Sequence, residues 1–477
     1  MTEIVVIGAG PAGVAAALRA GDLGAKTTLV TRDEFGGMAA NDGPVPVRTL
    51  AHAARLIRDA RDLGRYGVET GGAKLNYKTL LHRVSEVVAD ARRNSTFRSQ
   101  IDQAGVTVHE NAGLARFADP HTIETESGLR LHADKVIICT GGVSRQIGVP
   151  GAEFTNTHSD SWSLTSAPPS MIVVGAGATG VQVASIFNAF GTKIQLFQAG
   201  PRIVPTEDED VSAAVAAGFR KSGIDVREDF GRIDSFEKTE TGIRMNFSFS
   251  KDGQRDSAEA ALAIIAIGWV ANTSSLQLPN AGVETNERGF ITTDDFLRTS
   301  APHVFAAGDV TGRMMLVPQG LHQGYLAATN AVLGPEMKLP LQVAPIGSFT
   351  DPEYAQVGLT ESQARERYDV IVTRVDLDTT TRTIIDGRTF GFVKLIVDRS
   401  TRMILGCHVV GERAVELTQV AAIAMSAGMP IDKLAEVPLS FPTYAGVLGL
   451  AAAMATRTLK HDAKIQAEAV AVSVPAI

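Results

Sequence analysis

Ten residues near the start, Ile4 to Gly13, restrict the fold more than any other stretch; they read Ile-Val-Val-Ile-Gly-Ala-Gly-Pro-Ala-Gly. Four β-branched residues in a row suit a strand buried on both faces. Gly8, Gly10 and Gly13 then follow at G-x-G-x-x-G spacing, and the alanine-rich run from Val14 to Ala20 predicts a helix. The glycines serve a tight turn, a close approach of backbone to pyrophosphate, and close packing of helix on strand, with the helix N-terminus facing the phosphates. Alone, the spacing fits a plain strand-turn-helix corner equally well. It recurs, however: Met171 to Gly180 reads Met-Ile-Val-Val-Gly-Ala-Gly-Ala-Thr-Gly, so that Gly175, Gly177 and Gly180 repeat the first pattern. A helix from Val181 to Phe190 and a strand from Lys193 to Phe197 are expected next. Two such units predict two bound dinucleotides.

With 477 residues, 44% hydrophobic and 20% charged, the chain is expected to hold about three folded domains. Its formal net charge of -7 gives no broad basic field, so neither nucleic acid nor an acidic membrane surface is the expected partner. The two cysteines, Cys139 and Cys407, form no C-x-x-C or zinc pattern. No secretory n-region or h-region precedes Ile4, and the apolar run from Ala260 to Ala271 is too short to span a bilayer. A soluble, cytoplasmic protein without a metal site is expected.

The segment Gly36-Gly37-Met38-Ala39-Ala40-Asn41-Asp42-Gly43-Pro44-Val45-Pro46-Val47-Arg48 resembles the redox segment of the flavoprotein pyridine nucleotide-disulfide oxidoreductases, which include dihydrolipoamide dehydrogenase, mercuric reductase and soluble transhydrogenase. The family pattern places two cysteines where Ala39 and Pro44 stand, and a lysine where Arg48 stands. Disulfide reduction needs a thiolate, so the resemblance implies a member without that chemistry. Arg48 is then either a cation beside the flavin, able to stabilise a reduced ring, or part of a purely structural helix start. Thr140-Gly141 resembles the element that closes over the adenine half of FAD, and Cys139 beside it is expected to be a small core residue. Thr299 to Thr311 resembles the second FAD motif, whose aspartate, here Asp309 after Gly308, accepts from the ribityl chain. Met315 to Gly320 resembles the segment whose helix points at the flavin pyrimidine, placing Gln319 and Gly320 there.

Several positions depart from the family. Thr31 stands where an acidic residue normally meets the adenosine ribose, with Asp33 or Glu34 either substituting or simply solvated. Gln182 replaces the glutamate that pairs with the lysine, and Ala178 replaces a gating tyrosine. Gln198 replaces the acidic residue that selects NAD, and Arg202 is either a 2′-phosphate ligand or a surface arginine, leaving NADH against NADPH open. Gly268-Trp269 stands for Gly-Arg, so Trp269 either covers the nicotinamide or fills the space of the arginine. In Ser440 to Gly446, Phe441 and Gly446 replace the histidine and glutamate of the family's proton relay. Phe441 and Tyr444 form either an apolar wall over the flavin or interface packing.

Between these motifs, helices are expected over Thr49 to Leu63 and Tyr77 to Ser99, the second a solvated surface helix. A small β-meander is expected over Val106 to Ala118 and Thr122 to Leu131, with Gly128 in a turn, and a loose tail after His461. The resemblance implies an α/β fold: two Rossmann-like dinucleotide-binding domains plus a C-terminal α+β dimerisation domain. Its parts are an FAD-binding domain at 1–148, an NAD(P)-binding domain at 149–271, a return to the FAD domain at 272–339, dimerisation at 340–460 and the tail at 461–477. The implied function is an FAD-dependent NAD(P)H oxidoreductase, working as a homodimer on a small non-disulfide acceptor such as a quinone. NADH/NADPH transhydrogenation and non-catalytic flavin or nicotinamide sensing are the alternatives.

Overall fold

The apolar runs beside the two glycine loops become the central strands of two parallel sheets. The computed structural model describes residues 1–69, 71–93, 96–162, 164–340 and 343–473. By contact the chain divides into two compact units: residues 1–148, 156–167 and 266–341 form one, and residues 149–155, 168–265 and 342–477 the other. Residues 266–271, expected with the nucleotide half, therefore cluster with the first unit.

In the first unit, the strand Glu3–Ile7 is flanked in parallel by Lys26–Val30 on one side and Lys135–Ile138 on the other. Val304–Ala306 and Thr107–His109 take the two edges. Ile4 to Ile7 are all buried, as a strand covered on both faces by helices requires. The expected meander is corrected here. Thr107–His109 joins the parallel sheet against Lys26–Val30, and the antiparallel trio is Ala115–Asp119, Thr122–Thr125 and Arg130–His132. The surface helix is described over Tyr77–Arg93 and again over Thr96–Gln103, and residues 94–95 lie outside the described residues. Its first part is anchored by buried Tyr77, Val84 and Val88.

In the second unit, Ser170–Val174 pairs in parallel with Lys193–Phe197 and Leu262–Ile265, and Asp225–Arg227 extends the sheet. Residues from 342 onward build a five-stranded antiparallel sheet in the order Ile346–Ser348, Tyr354–Gly358, Ile404–Val410, Phe392–Asp398, Val370–Asp376. Because side chains alternate across a strand, this sheet has two unlike faces. Ala355, Val357, Val393, Leu395, Cys407 and Val409 pack with Leu417, Ala421, Val447, Leu448 and Ala451 of two helices.

The other face carries Gln356, His408 and Lys394, which lie opposite one another across three strands. The Lys394 ammonium is buried and donates to Asp208 at 2.9 Å, Asp210 at 2.7 Å and Glu361 at 2.6 Å. Three carboxylates compensate the desolvation that a lone buried cation suffers, and they hold its pKa above the ordinary lysine range.

The expected loose tail is also corrected. Helix Ala445–Ser473 runs unbroken through it, and residues 474–477 lie outside the described residues. Among the described residues no helix is long and apolar enough to cross a membrane.

Candidate functional site

Ala12, on the first turn of helix Pro11–Asp22, is the point around which most of the expected flavin-binding residues gather. Gly8 has φ +107°, and a Cβ on it would lie 2.3 Å from the carbonyl oxygen of Cys139. A Cβ on Gly13 would lie 1.7 Å from the carbonyl oxygen of Gly8, so the third glycine seats helix on strand. Gly37 brings the redox segment onto the same loop: its Cβ would come within 2.6 Å of the Gly10 Cα. From the far end of the chain, Gly308 has φ +78° and its Cβ position faces the Ala12 methyl at 3.0 Å, while Gly320 approaches Ala12 at 3.7 Å. The Gly308 N–H donates to Gln323 at 2.9 Å, fixing the turn that presents Asp309. Gln319 is buried on the same helix, Val317–Leu333.

Thr140, Gly141 and Gly142 follow the strand Lys135–Ile138. A Cβ on Gly142 would stand 3.7 Å from the Asp309 Cβ and 3.9 Å from the Trp269 ring. Asn272 binds this turn twice, through its N–H to Gly141 and its amide to Thr140. The Thr140 hydroxyl is buried with no hydrogen-bond partner among the described residues. Burial holds the Asp309 carboxyl above its ordinary pKa. A backbone cradle free of Cβ atoms, an unpaired buried hydroxyl and a carboxyl at its rim fit a flavin dinucleotide.

Arg48 is exposed on helix Pro44–Asp62. Glu34, one candidate for the ribose, pairs with Arg92, and Asp33 with Arg32 at 2.7 Å. Gly268 has φ +108° and its carbonyl accepts from the Arg145 N–H. Trp269 begins a short strand, Trp269–Ala271, antiparallel to Gly142–Ser144. Cys139 is buried, and its thiol is pushed up to about 12 by that burial.

The second glycine loop is built the same way within its own unit. Gly175 has φ +94°, Gly177 caps helix Ala178–Ala189 and Gly180 is buried on it. The Gln198 side chain accepts from the Ala176 N–H at 3.1 Å, so it touches the glycine loop itself. Gln182 turns back to donate to the Ala178 carbonyl at 3.1 Å. Arg202 donates to the carbonyls of Glu207 and Pro205 at 2.8 and 2.9 Å, which ties it to its own loop.

Phe441 and Tyr444 are not brought together as one wall within the chain. Phe441 is 84% exposed. Tyr444 is buried in the core of its unit, and its hydroxyl donates to Asp386 at 3.1 Å.

One cluster in the first unit escaped the sequence reading. His158, 4% exposed, has its Nδ1 3.3 Å from the Ser144 hydroxyl and its Nε2 3.5 Å from the Ser159 hydroxyl. Ser159 donates to the Asp42 carboxylate, and the Trp162 indole donates to the Asp42 carbonyl at 3.1 Å. Trp269 meets the imidazole edge-on at 5.0 Å. Asp42 and Trp269 lie more than a hundred positions from His158, and the group shares no local periodicity. The unusual Trp269 was the one local sign of them.

A family model described as pyridine nucleotide-disulphide oxidoreductase matches residues 2–324. A second, the dimerisation domain of the same family, matches residues 344–452. The mercuric reductase of Lysinibacillus sphaericus is 31% identical over 454 residues, covering 94% of this chain and 82% of that protein. Dihydrolipoyl dehydrogenase 2 of Haloarcula marismortui is 32% identical over 472 residues, covering 96% and 98%. Among solved structures, the HOCl-induced flavoprotein disulfide reductase RclA from Escherichia coli matches with a TM-score of 0.83 at 26% identity, covering 94% of this chain and 99% of that one.

Proposed function

Because the chain belongs to the pyridine nucleotide-disulphide oxidoreductase family, whose members use FAD and NAD(P)H, we propose that it is an NAD(P)H dehydrogenase that delivers electrons to a non-disulfide acceptor of the quinone class. Membership makes it an enzyme of the flavin-dependent kind, and the dimerisation domain supports a homodimer. The observation that carries the narrower reading is the thiol inventory. Cys139 and Cys407 are the two cysteines of the chain, and both are buried. The folded surface therefore offers neither as the attacking thiolate of disulfide exchange, although the relatives named above are disulfide or mercuric reductases.

In this reading FAD is held by Gly8, Gly10, Gly13, Gly37, Thr140, Gly141, Gly308, Asp309, Gln319 and Gly320, and the nicotinamide nucleotide by Gly175, Gly177, Gly180 and Gln198. The flavin part is taken as residues 1–148, 156–167 and 266–339, the nucleotide part as residues 168–265 and the dimerisation part as residues 342–460. Bound FAD supplies hydride acceptance from the nicotinamide and hydride donation to the acceptor. The chain orients both, and Arg48 offers a cation toward negative charge on the reduced ring. Gln182 brings no charge to its own helix, Ala178–Ala189. Phe441, exposed in one chain, is offered to the partner copy.

Anaerobic stopped-flow tests the proposal. The expected result is rapid bleaching of the flavin band by NADH or NADPH, followed by reoxidation on adding a quinone. Bleaching with reoxidation only by a disulfide would overturn the choice of acceptor. No bleaching by either nucleotide would overturn the dehydrogenase.

A further inference from the structure

The hydrogen bonds around His158 have a fixed order. Ser159 commits its one hydroxyl hydrogen to Asp42, so only its lone pairs face the imidazole, and Nε2 must carry the hydrogen between them. In a neutral imidazole Nδ1 is then the acceptor, and the Ser144 hydroxyl donates to it. The chain runs Ser144 to His158 to Ser159 to Asp42, with the carboxylate at its far end.

Its other end faces the flavin cradle. Ser144 pairs across strands with Trp269, and it lies two residues from Gly142. Residues two apart in a strand share a face, and the Gly142 Cβ direction points at the Asp309 Cβ.

We propose that Ser144, His158, Ser159 and Asp42 form a proton relay for the acceptor, with Ser144 as its terminal donor and His158 as the store. The proposal rests on the dehydrogenase reading above. Reduction of a quinone takes one hydride, supplied through the flavin, and one proton. With His158 charged, Nδ1–H donates to the Ser144 oxygen and the Ser144 hydroxyl hydrogen turns outward, matching a carbonyl. When that hydrogen passes to the acceptor oxygen, the Nδ1 proton moves to Ser144, and His158 is left neutral. Ser144 then donates to Nδ1 again and offers lone pairs, matching the new hydroxyl. One proton leaves the imidazolium, one O–H bond forms on the acceptor, and solvent recharges the histidine.

The groups around the imidazole are few. Asp42 and Asp160 favour its charged form, and burial disfavours it more strongly, so its pKa lies below the ordinary histidine value. Asp160 is held by the Thr157 N–H and hydroxyl at 2.6 and 2.9 Å. Tyr77, packed on the same turn through Ser161, is pushed up to about 12 and stays neutral.

Trp162 and Trp269, the two tryptophans of the chain, lie 6.2 and 5.0 Å from His158. An imidazolium quenches a neighbouring indole, so the intrinsic fluorescence of the holoprotein reports the charge on His158. Emission is expected to fall as pH drops, with a midpoint below the ordinary histidine range, and His158→Gln should abolish the transition. Asp42→Asn is the second variant, and it should move the midpoint to lower pH by about one unit.

The kinetic arm uses flavin reduced with dithionite and reoxidised by a quinone. The rate should fall about tenfold per pH unit above the midpoint in the native protein and be flat in His158→Gln. Flavin bleaching by NAD(P)H should be equal in both. A pH-independent reoxidation, or an acidic limb that survives in His158→Gln, overturns the relay and leaves the dehydrogenase standing. Failure of NAD(P)H to bleach the flavin overturns the dehydrogenase, and the dithionite and fluorescence measurements still decide the relay.

Discussion

A single methyl group distinguishes the two jobs that glycine does in these loops. At Gly13 a Cβ would sit 1.7 Å from a carbonyl oxygen, whereas at Gly177 nothing lies within 4 Å. Gly13→Ala should cost about 1–3 kcal/mol and lower the FAD content of the purified protein, read from the melting temperature and the ratio of flavin to protein absorbance. Gly177→Ala should leave the melting temperature unchanged and weaken nicotinamide nucleotide binding alone. Equal melting temperatures for Gly13→Ala and the native protein would refute the packing argument. Both glycines were legible in the sequence because the constraint they answer is local. His158 and Lys394 were not, since an isolated histidine or lysine carries no sign of an indole or a carboxylate more than a hundred positions away.

At the scale of elements, the polar face of the C-terminal sheet is where pH should register. Glu207 is 5% exposed, accepts from Gln356 at 3.3 Å on one oxygen and has no hydrogen-bond partner on the other among the described residues. Burial raises its pKa to about 7. Between its ordinary value near 4.5 and about 7 the folded chain binds a proton that the unfolded chain has lost. Stability from this group is therefore full below that window and lost as pH rises through it, by up to about 3 kcal/mol. Glu207→Gln should flatten this fall in urea titrations at matched pH values; an unchanged slope would remove Glu207 as its source.

In this sheet Phe392–Asp398 and Ile404–Val410 are dense in β-branched residues, which suits fully buried central strands. Strand composition misplaced Thr107–His109 because three residues fix neither their partner strand nor its direction.

For the whole molecule, helix Ala445–Ser473 presents Leu450 and Met454, 49% and 40% exposed, four residues apart on one face. A homodimer gives such a face something to cover. Leu450→Glu with Met454→Glu should shift sedimentation toward half the mass while the circular dichroism spectrum stays native. A variant that remains fully dimeric would exclude this helix face from the interface.

The two buried cysteines have one more use. Cys139 belongs to the first compact unit and Cys407 to the second, and each is sealed from solvent. Neither thiol meets an alkylating reagent until its own unit opens. The chain thus carries a separate clock for each unit: mapping which cysteine is modified first, and how fast, reads out the local opening free energy of the first unit and of the unit that bears the five-stranded antiparallel sheet, with no label added.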